Sequence, residues 1–331
     1  MQTQLFDALI IGGGPAGLAA AMALGRACRT VALFDSQEYR NESAPMMHNV
    51  LCHDGQRQEL FRATTMEEMM DKYDSLTFLD TKITNARLVN NGQKRLFELT
   101  NHKGLIWRGR KLIFASGTKD LLPPIPGYKE LWGRGIVHCL FCDGFENKGG
   151  RIGALGLQTP PDLDALLMAF QLTKDTVTVF TNGNAASNGE VQRLYKIAAA
   201  RGATFDHRAI HSVSEIPDAV GIQLNFQDGS HEHVRMLLST PPSVNRAANL
   251  ISALRLENPA GAGAHVISKT PMGETSLRGC FVAGDTSTPA KIIHVAMASG
   301  SLAGIGAAKQ LAQDDGLEAD HTASTESQGK L

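Results

Sequence analysis

Residues 5–35 read LFDALIIGGGPAGLAAAMALGRACRTVALFD. A short apolar run stops at a glycine cluster, an Ala/Leu-rich helical stretch follows, and VALFD at 31–35 closes the unit. Strand, glycine turn, helix and strand in this order open a doubly wound βαβ unit. The turn is spaced Gly12-x-Gly14-x-x-Gly17. Gly12 permits the tight turn, Gly14 lets the backbone reach a pyrophosphate, and Gly17 lets helix and strand pack closely. The helix N-terminus then meets phosphate charge with free N–H groups. Asp35 ends the second strand 23 residues after Gly12, where a carboxylate accepts hydrogen bonds from a ribose. A G-x-G-x-x-G alone is weak evidence. With its strand, helix and distal acid all present, it points to dinucleotide binding rather than a merely structural turn.

The rest of the chain is consistent with that reading. Its 331 residues suggest two domains, and 33 acidic against 32 basic residues give a net charge of −1. Near neutrality argues against a general nucleic-acid binder or a polybasic membrane anchor. The 33 glycines exceed a usual share of ~7% and sit in short loops, which favours backbone approach to a ligand. The N-terminus carries no basic region or small-residue cleavage site, and no 18-residue apolar run occurs. A soluble, cytoplasmic α/β protein without membrane or nucleic-acid partners is expected. Helical stretches are expected near 57–73, 161–173, 187–201 and 290–311, and short strands at 77–83, 86–90, 95–100, 105–108 and 111–117. LLPPIPG (121–127) and TPPSVN (240–245) read as boundaries, because their prolines suit neither a helix interior nor an inner strand. Residues 313–331 are polar and poor in apolar side chains, which predicts a disordered tail.

Two further motifs carry chemistry. GCFVAGD (279–285) is an apolar strand ending in Gly-Asp ahead of a helix. Asp285 there either hydrogen-bonds a polyol or merely caps a loop. Cys139-Leu140-Phe141-Cys142-Asp143 spaces two cysteines to close a small disulfide, whose thiolates are stabilised by each other and by helix N-terminal N–H groups. A zinc site needs two more ligands, and Cys28, Cys52 and Cys280 are isolated, so no metal is expected and these three are taken as packing residues. Asp143 either moves the proton that thiol chemistry requires or serves as a helix N-cap.

Together GGGPAG, ASG at 115–117, C-x-x-C-D-G and the closing AGD resemble the low-molecular-weight thioredoxin reductase fold. DSQEYRN, MMHNV, GTKDLLPPIPG and HCLFCDGFE resemble its gliotoxin oxidase branch more closely, over roughly residues 5–311. Those flavoproteins oxidise small-molecule dithiols to disulfides with molecular oxygen. The resemblance implies two Rossmann-like three-layer domains. A discontinuous FAD domain would span 1–118 and 244–312, with a degenerate NADPH-like insert at 119–243 carrying the cysteine pair. It also implies a homodimer. Gly12, Gly13, Gly14, Pro15, Ala16, Gly17 and Asp35 would then serve the ADP half of FAD, and Asp285 the ribityl-phosphate region. Arg40, Asn41, His48, Ile83, Ala115, Gly117 and the backbone at His294 and Val295 complete the implied cofactor set. In that branch the second cysteine is often followed by His, where this chain has Asp143.

A thioredoxin reductase needs a second glycine turn for NADPH and arginines for its 2′-phosphate. In RIGALGLQTPPDLDAL, counting from Gly156, the next two required positions hold Gln158 and Pro161, whose side chains block a pyrophosphate. After VTVF come Thr181, Asn182 and Gly183, and none can pair with a phosphate. The expected electron source is therefore a dithiol. Its thiolate would attack Cys139 and release Cys142, which the resemblance implies is the flavin-proximal cysteine and would pass the electron pair to FAD, with oxygen accepting it to give hydrogen peroxide. Leu140 and Phe141 suit a small organic substrate, or simply pack. The competing readings are an NADPH-dependent reductase and a flavin-bound redox sensor that never turns over.

Overall fold

The computed structural model describes residues 4–92, 94–184, 188–258 and 265–328. The chain forms two units, one of Met1–Arg40, Glu59–Lys119 and Ser243–Leu331, the other of Asn41–Gln58 and Asp120–Pro242. The cut after Lys119 lies just ahead of LLPPIPG, and the cut after Pro242 lies within TPPSVN. Residues 41–58, expected with the first domain, group with the second.

The first unit begins with β1 (Leu5–Ile11), α1 (Pro15–Arg26), β2 (Val31–Asp35), α2 (Gln58–Lys72) and β3 (Leu76–Asp80). A meander of β4 (Ile83–Asn91), β5 (Lys94–Asn101) and β6 (Ile106–Phe114) follows, then the short β7 (Thr118–Asp120). The strands read from sequence at 105–108 and 111–117 are one strand, β6, because alternate burial continues through Gly109. Gly109 is required there, since a Cβ would lie 2.6 Å from the Leu9 side chain of the neighbouring strand.

The second unit contains α3 (Tyr128–Leu131), β8 (Ile136–Val137), α4 (Leu140–Asp143), β9 (Ile152–Leu155), α5 (Pro160–Ala169), β10 (Val177–Phe180), α6 (Gly189–Arg201) and β11 (Thr204–Asp206). It continues through the hairpins β12 (Ile210–Glu215), β13 (Ile222–Phe226) and β14 (His231–Val234) to β15 (Met236–Leu238). The chain then returns to the first unit with β16 (Ser243–Asn245), α7 (Ala248–Ala253), β17 (Cys280–Val282) and α8 (Ile293–Gln328).

The first unit's sheet runs β3-β2-β1-β6-β5-β4, with β17 also on β6. Its β1, β2, β3, β6 and β17 pairings are parallel, and the meander is antiparallel. One face carries an apolar cluster with Leu9, Phe34, Phe114 and Leu250, and the other packs Ile10, Leu24, Ile113 and Phe281 against α1 and α8. The second unit has the parallel sheet β11-β10-β9-β15-β8 and the antiparallel β12-β13-β14. Both are Rossmann-like, and the protein is an α/β protein as expected.

Helix α8 corrects the tail expectation, since it continues as helix through Gln328 where disorder was predicted from 313. Composition missed its anchors. Asp314 accepts from Lys111 and Arg278, and Asp315 from Arg29 and Arg110. Lys111 is almost wholly buried, and burial pulls its ammonium pKa down despite the carboxylate of Asp314. Upstream, α8 runs in the same direction as α1, because Gly300 meets Ala16 and Gly304 meets Ala20. A Cβ at either glycine would run into the α1 backbone. Among the described residues no helix is long and apolar enough to cross a membrane.

Candidate active site

In the first unit the glycine turn forms an open cradle. Gly12 takes a φ of +115°, and a side chain there would strike the Ala115 backbone. Gly17 lies so close to the Gly12 carbonyl that no Cβ fits, whereas Gly14 faces open space. Helix α1 starts with Gly14 as N-cap and Pro15 in its first turn, with no side chain capping it. Its first N–H groups are therefore left to an anion. Asp35 lies against Gly13 at the end of β2 and accepts from the Gln37 N–H (2.9 Å) and the Tyr39 hydroxyl. Arg62 stacks over the Tyr39 ring at 3.6 Å.

Other predicted residues gather around the same turn. Gly117 donates its N–H to Thr286 Oγ1 at 2.9 Å, next to Asp285 in a short 3-10 turn, Gly284–Thr286. Gly284 donates to Ser299 Oγ (2.9 Å), and that hydroxyl donates to the Val295 carbonyl (2.7 Å). Gly284 also abuts Ala16, which brings the Asp285 turn to the head of α1. His294 is exposed on the first turn of α8. Arg40 lies in the loop after β2. Ile83 is packed in the apolar cluster on the opposite face of the sheet from α1. Arg62, Thr286 and Ser299 were missed by sequence reasoning because each acts through a neighbour and none belongs to a motif, and Tyr39, although inside DSQEYRN, was not singled out because it acts through Asp35.

The second unit carries the thiol chemistry. Cys139 and Cys142 are joined as a disulfide. Cys139 is the N-cap of α4, and its carbonyl accepts from the N–H groups of Cys142 (3.2 Å) and Asp143 (3.1 Å). Asp143 is thus the last residue of α4 and not its N-cap, which removes that alternative. Burial pushes the Asp143 carboxyl up to about 6, with His48 opposing the rise and Glu146 adding to it. His48, expected beside the flavin, has Nδ1 3.5 Å from Glu146 Oε1 and 3.8 Å from Asp54 Oδ1. The Asn41 carbonyl accepts from Gln58. Leu140 packs against the second unit's core, while Phe141 is 66% exposed beside the pair. Tyr128, Trp132 and His138 stack in series toward Cys139.

The other cysteines divide differently from expectation. Cys280 is fully buried and its thiol is pushed up to about 12, so it packs and is inert. Cys28 and Cys52 are exposed in turns with positive φ, so neither is the packing residue expected.

The second strand–turn–helix is built unlike the first. Gly156 turns at a φ of +79°, but Thr159 caps α5 in a capping box with Asp162. The Asp162 carboxylate accepts from the N–H groups of Gln158 (3.0 Å) and Thr159 (2.9 Å), and from the Thr240 hydroxyl. At the end of β10 the Asn182 side chain accepts from the Ile210 N–H at 2.7 Å. The nearby Arg208 is held by Asp206 and Glu232.

Residues 6–156 match the family described as pyridine nucleotide-disulphide oxidoreductase. The chain is 36% identical over 324 residues to thioredoxin reductase aclD of Aspergillus oryzae, covering 95% of this chain and 99% of that one. It belongs to the thioredoxin-reductase-like oxidoreductases. A second relative in this family, thioredoxin reductase tcpT of Claviceps purpurea, is 38% identical over 94% of this chain and 96% of its own. Among solved structures, an oxidoreductase from Agrobacterium tumefaciens superposes with a TM-score of 0.81 at 29% identity, over 93% of this chain and 99% of that one. Thioredoxin-reductase-like enzymes bind FAD, and this one is a flavin disulfide oxidoreductase. The open cradle at Gly14 and the uncapped head of α1 fit the cofactor's pyrophosphate.

Proposed function

We propose that the chain is an FAD-dependent dithiol oxidase that closes an intramolecular disulfide in a small secondary metabolite of the epidithiodioxopiperazine type. The observation that carries this reading is the contrast between the two helix N-termini. That of α1 has no side-chain cap, while α5 opens on two prolines that carry no N–H, and the Asp162 carboxylate already takes the N–H groups of Gln158 and Thr159 just ahead of it. A fixed negative charge on those N–H groups repels a second pyrophosphate, so reducing equivalents enter through the cysteines rather than from NADPH.

FAD would be held by Gly12, Gly13, Gly14, Pro15, Ala16, Gly17 and Asp35 at its ADP half. Asp285, Gly117, Ala115, Arg40, Ile83, His294 and Val295, all of the first unit, would line the remainder. When bound it supplies a two-electron acceptor whose electrons leave on dioxygen as hydrogen peroxide. In the chain's own part of the reaction, a substrate thiolate attacks Cys139 Sγ, the Cys139–Cys142 bond breaks, and Cys142 leaves as thiolate. The second substrate thiolate then attacks the substrate sulfur, releasing Cys139 and the cyclic disulfide. Asp143, with a carboxyl poised near 6, accepts a proton from an incoming thiol. Phe141 offers an exposed apolar ring beside the pair.

The names of the relatives favour a second reading, an NADPH-dependent disulfide reductase. Anaerobic titration separates the two. A dithiol bleaches the flavin of the oxidase and air restores it with peroxide release, while micromolar NADPH leaves the spectrum unchanged. Bleaching by NADPH and not by dithiols overturns the proposal.

A further inference from the structure

His48 lies in MMHNV, outside α4, and its ring is mostly buried. Nδ1 is shut off from solvent, and among the described residues no hydrogen bond reaches it. Two carboxylates nevertheless flank that one nitrogen, Glu146 Oε1 at 3.5 Å and Asp54 Oδ1 at 3.8 Å. Asp54 is fixed, since Oδ1 accepts from the Asn49 N–H at 2.6 Å. Glu146 follows α4 by three residues and is 40% exposed at its side chain. Ionised carboxylates only accept hydrogen bonds. A lone pair on Nδ1 facing both would be repelled, whereas an Nδ1–H is attracted by both. In a neutral imidazole the proton on Nδ1 leaves Nε2 as the acceptor.

We propose that Glu146, backed by Asp54, is a positioning residue that fixes His48 in its Nδ1–H tautomer, so that Nε2 takes up protons together with Asp143. This rests on the dithiol oxidase reading for its chemistry and on geometry alone for its tautomer. As the thiol sulfur bonds to Cys139, the electron pair of the broken disulfide leaves on Cys142, and the thiol proton is held between Asp143 and His48. The charged groups around His48 are Asp54 on its own segment, Glu146 after α4, and Asp143, which couples to it electrostatically. Electrostatic coupling of Asp143 to both His48 and Glu146 is consistent with one shared site.

The test uses the flavin-loaded full chain labelled with 15N-histidine, with the His48 ring signals assigned by their loss in H48Q. Wild type shows a protonated Nδ1 and an unprotonated Nε2 at neutral pH. E146L moves the signals toward the Nε2–H form and slows anaerobic bleaching by dithiothreitol about tenfold. E146Q keeps an acceptor oxygen and restores both readouts to within about threefold. Ring-nitrogen shifts identical in wild type and E146L overturn the assignment. A changed tautomer with unchanged bleaching overturns the role of His48 as proton acceptor. If no dithiol bleaches wild type, the oxidase reading fails while the nitrogen spectra still decide the tautomer.

Discussion

Replacing Asp143 with Asn tests the proton-handling assignment most directly. Burial lifts this carboxyl from 3.8 to about 6, about two units, or about 3 kcal/mol against the ionised form. At pH 7.5 the carboxylate is then about 97% ionised, and at pH 5 only about one-tenth. An unshifted carboxyl is still about nine-tenths ionised at pH 5. The rate of anaerobic bleaching by a dithiol, followed by stopped flow from pH 5 to 8, separates these cases. D143N slows bleaching about 100-fold at pH 7.5. The ratio of wild-type to variant rates cancels the substrate's own thiol ionisation, and it shrinks to about 10 at pH 5. A ratio constant across this range refutes the assignment. The sign on stability follows from the same shift. The folded chain binds the Asp143 proton more tightly than the unfolded chain, so its contribution is full below about 4 and is lost as pH rises to about 6. D143N is therefore more stable than wild type at pH 7.5, by at most about 3 kcal/mol.

Three other perturbations have defined outcomes. C142S retains the flavin spectrum but loses both dithiol bleaching and peroxide formation, measured in the same cuvette. G14A folds, because its Cβ meets nothing within 4 Å, yet the methyl enters the cradle and weakens FAD retention at least tenfold in ultrafiltration; unchanged retention places the pyrophosphate elsewhere. D314A leaves the buried Lys111 with Gln310 as its remaining hydrogen-bond partner among the described residues, which costs about 2 kcal/mol in thermal or denaturant unfolding; an unchanged transition shows that the ammonium finds other partners or water.

The motifs were legible because their chemistry demands fixed spacing. The glycines around Gly14 and the Cys139–Cys142 pair are constrained over a few residues, and local sequence displays such constraints directly. The course of α8 past residue 312 was not legible, because its anchors Lys111 and Arg110 lie some two hundred positions away in a β-strand. Composition alone counts Asp314 and Asp315 as solvated charge. His48 was singled out by likeness, but Glu146 was not, although it closes HCLFCDGFE, since nothing in that stretch says that it faces a histidine some hundred residues earlier. Asp162 was passed over for a similar reason. The reading stopped at the missing glycines of the second turn, while the finding that the turn supplies its own anion required the hydrogen bonds of Gln158 and Thr159.

The discontinuity of the first unit has a consequence for how the protein is made. β17 is the last strand on β6, and α8 packs on α1. The glycine turn is synthesised before the second unit's main segment, but the helix that buttresses it only after that segment. The second unit, complete at Pro242, is free to fold while that helix is still untranslated. Until α8 emerges, the nascent first unit keeps Ile10, Leu24 and Ile113 without their cover from it. A ribosome stalled before residue 293 therefore displays a closed second unit and an exposed apolar sheet face, the surface on which a chaperone would act. With FAD placed on the glycine turn as proposed, the same dependence makes truncation within α8 a lesion of flavin binding, at a point in the sequence nearly three hundred residues from those glycines.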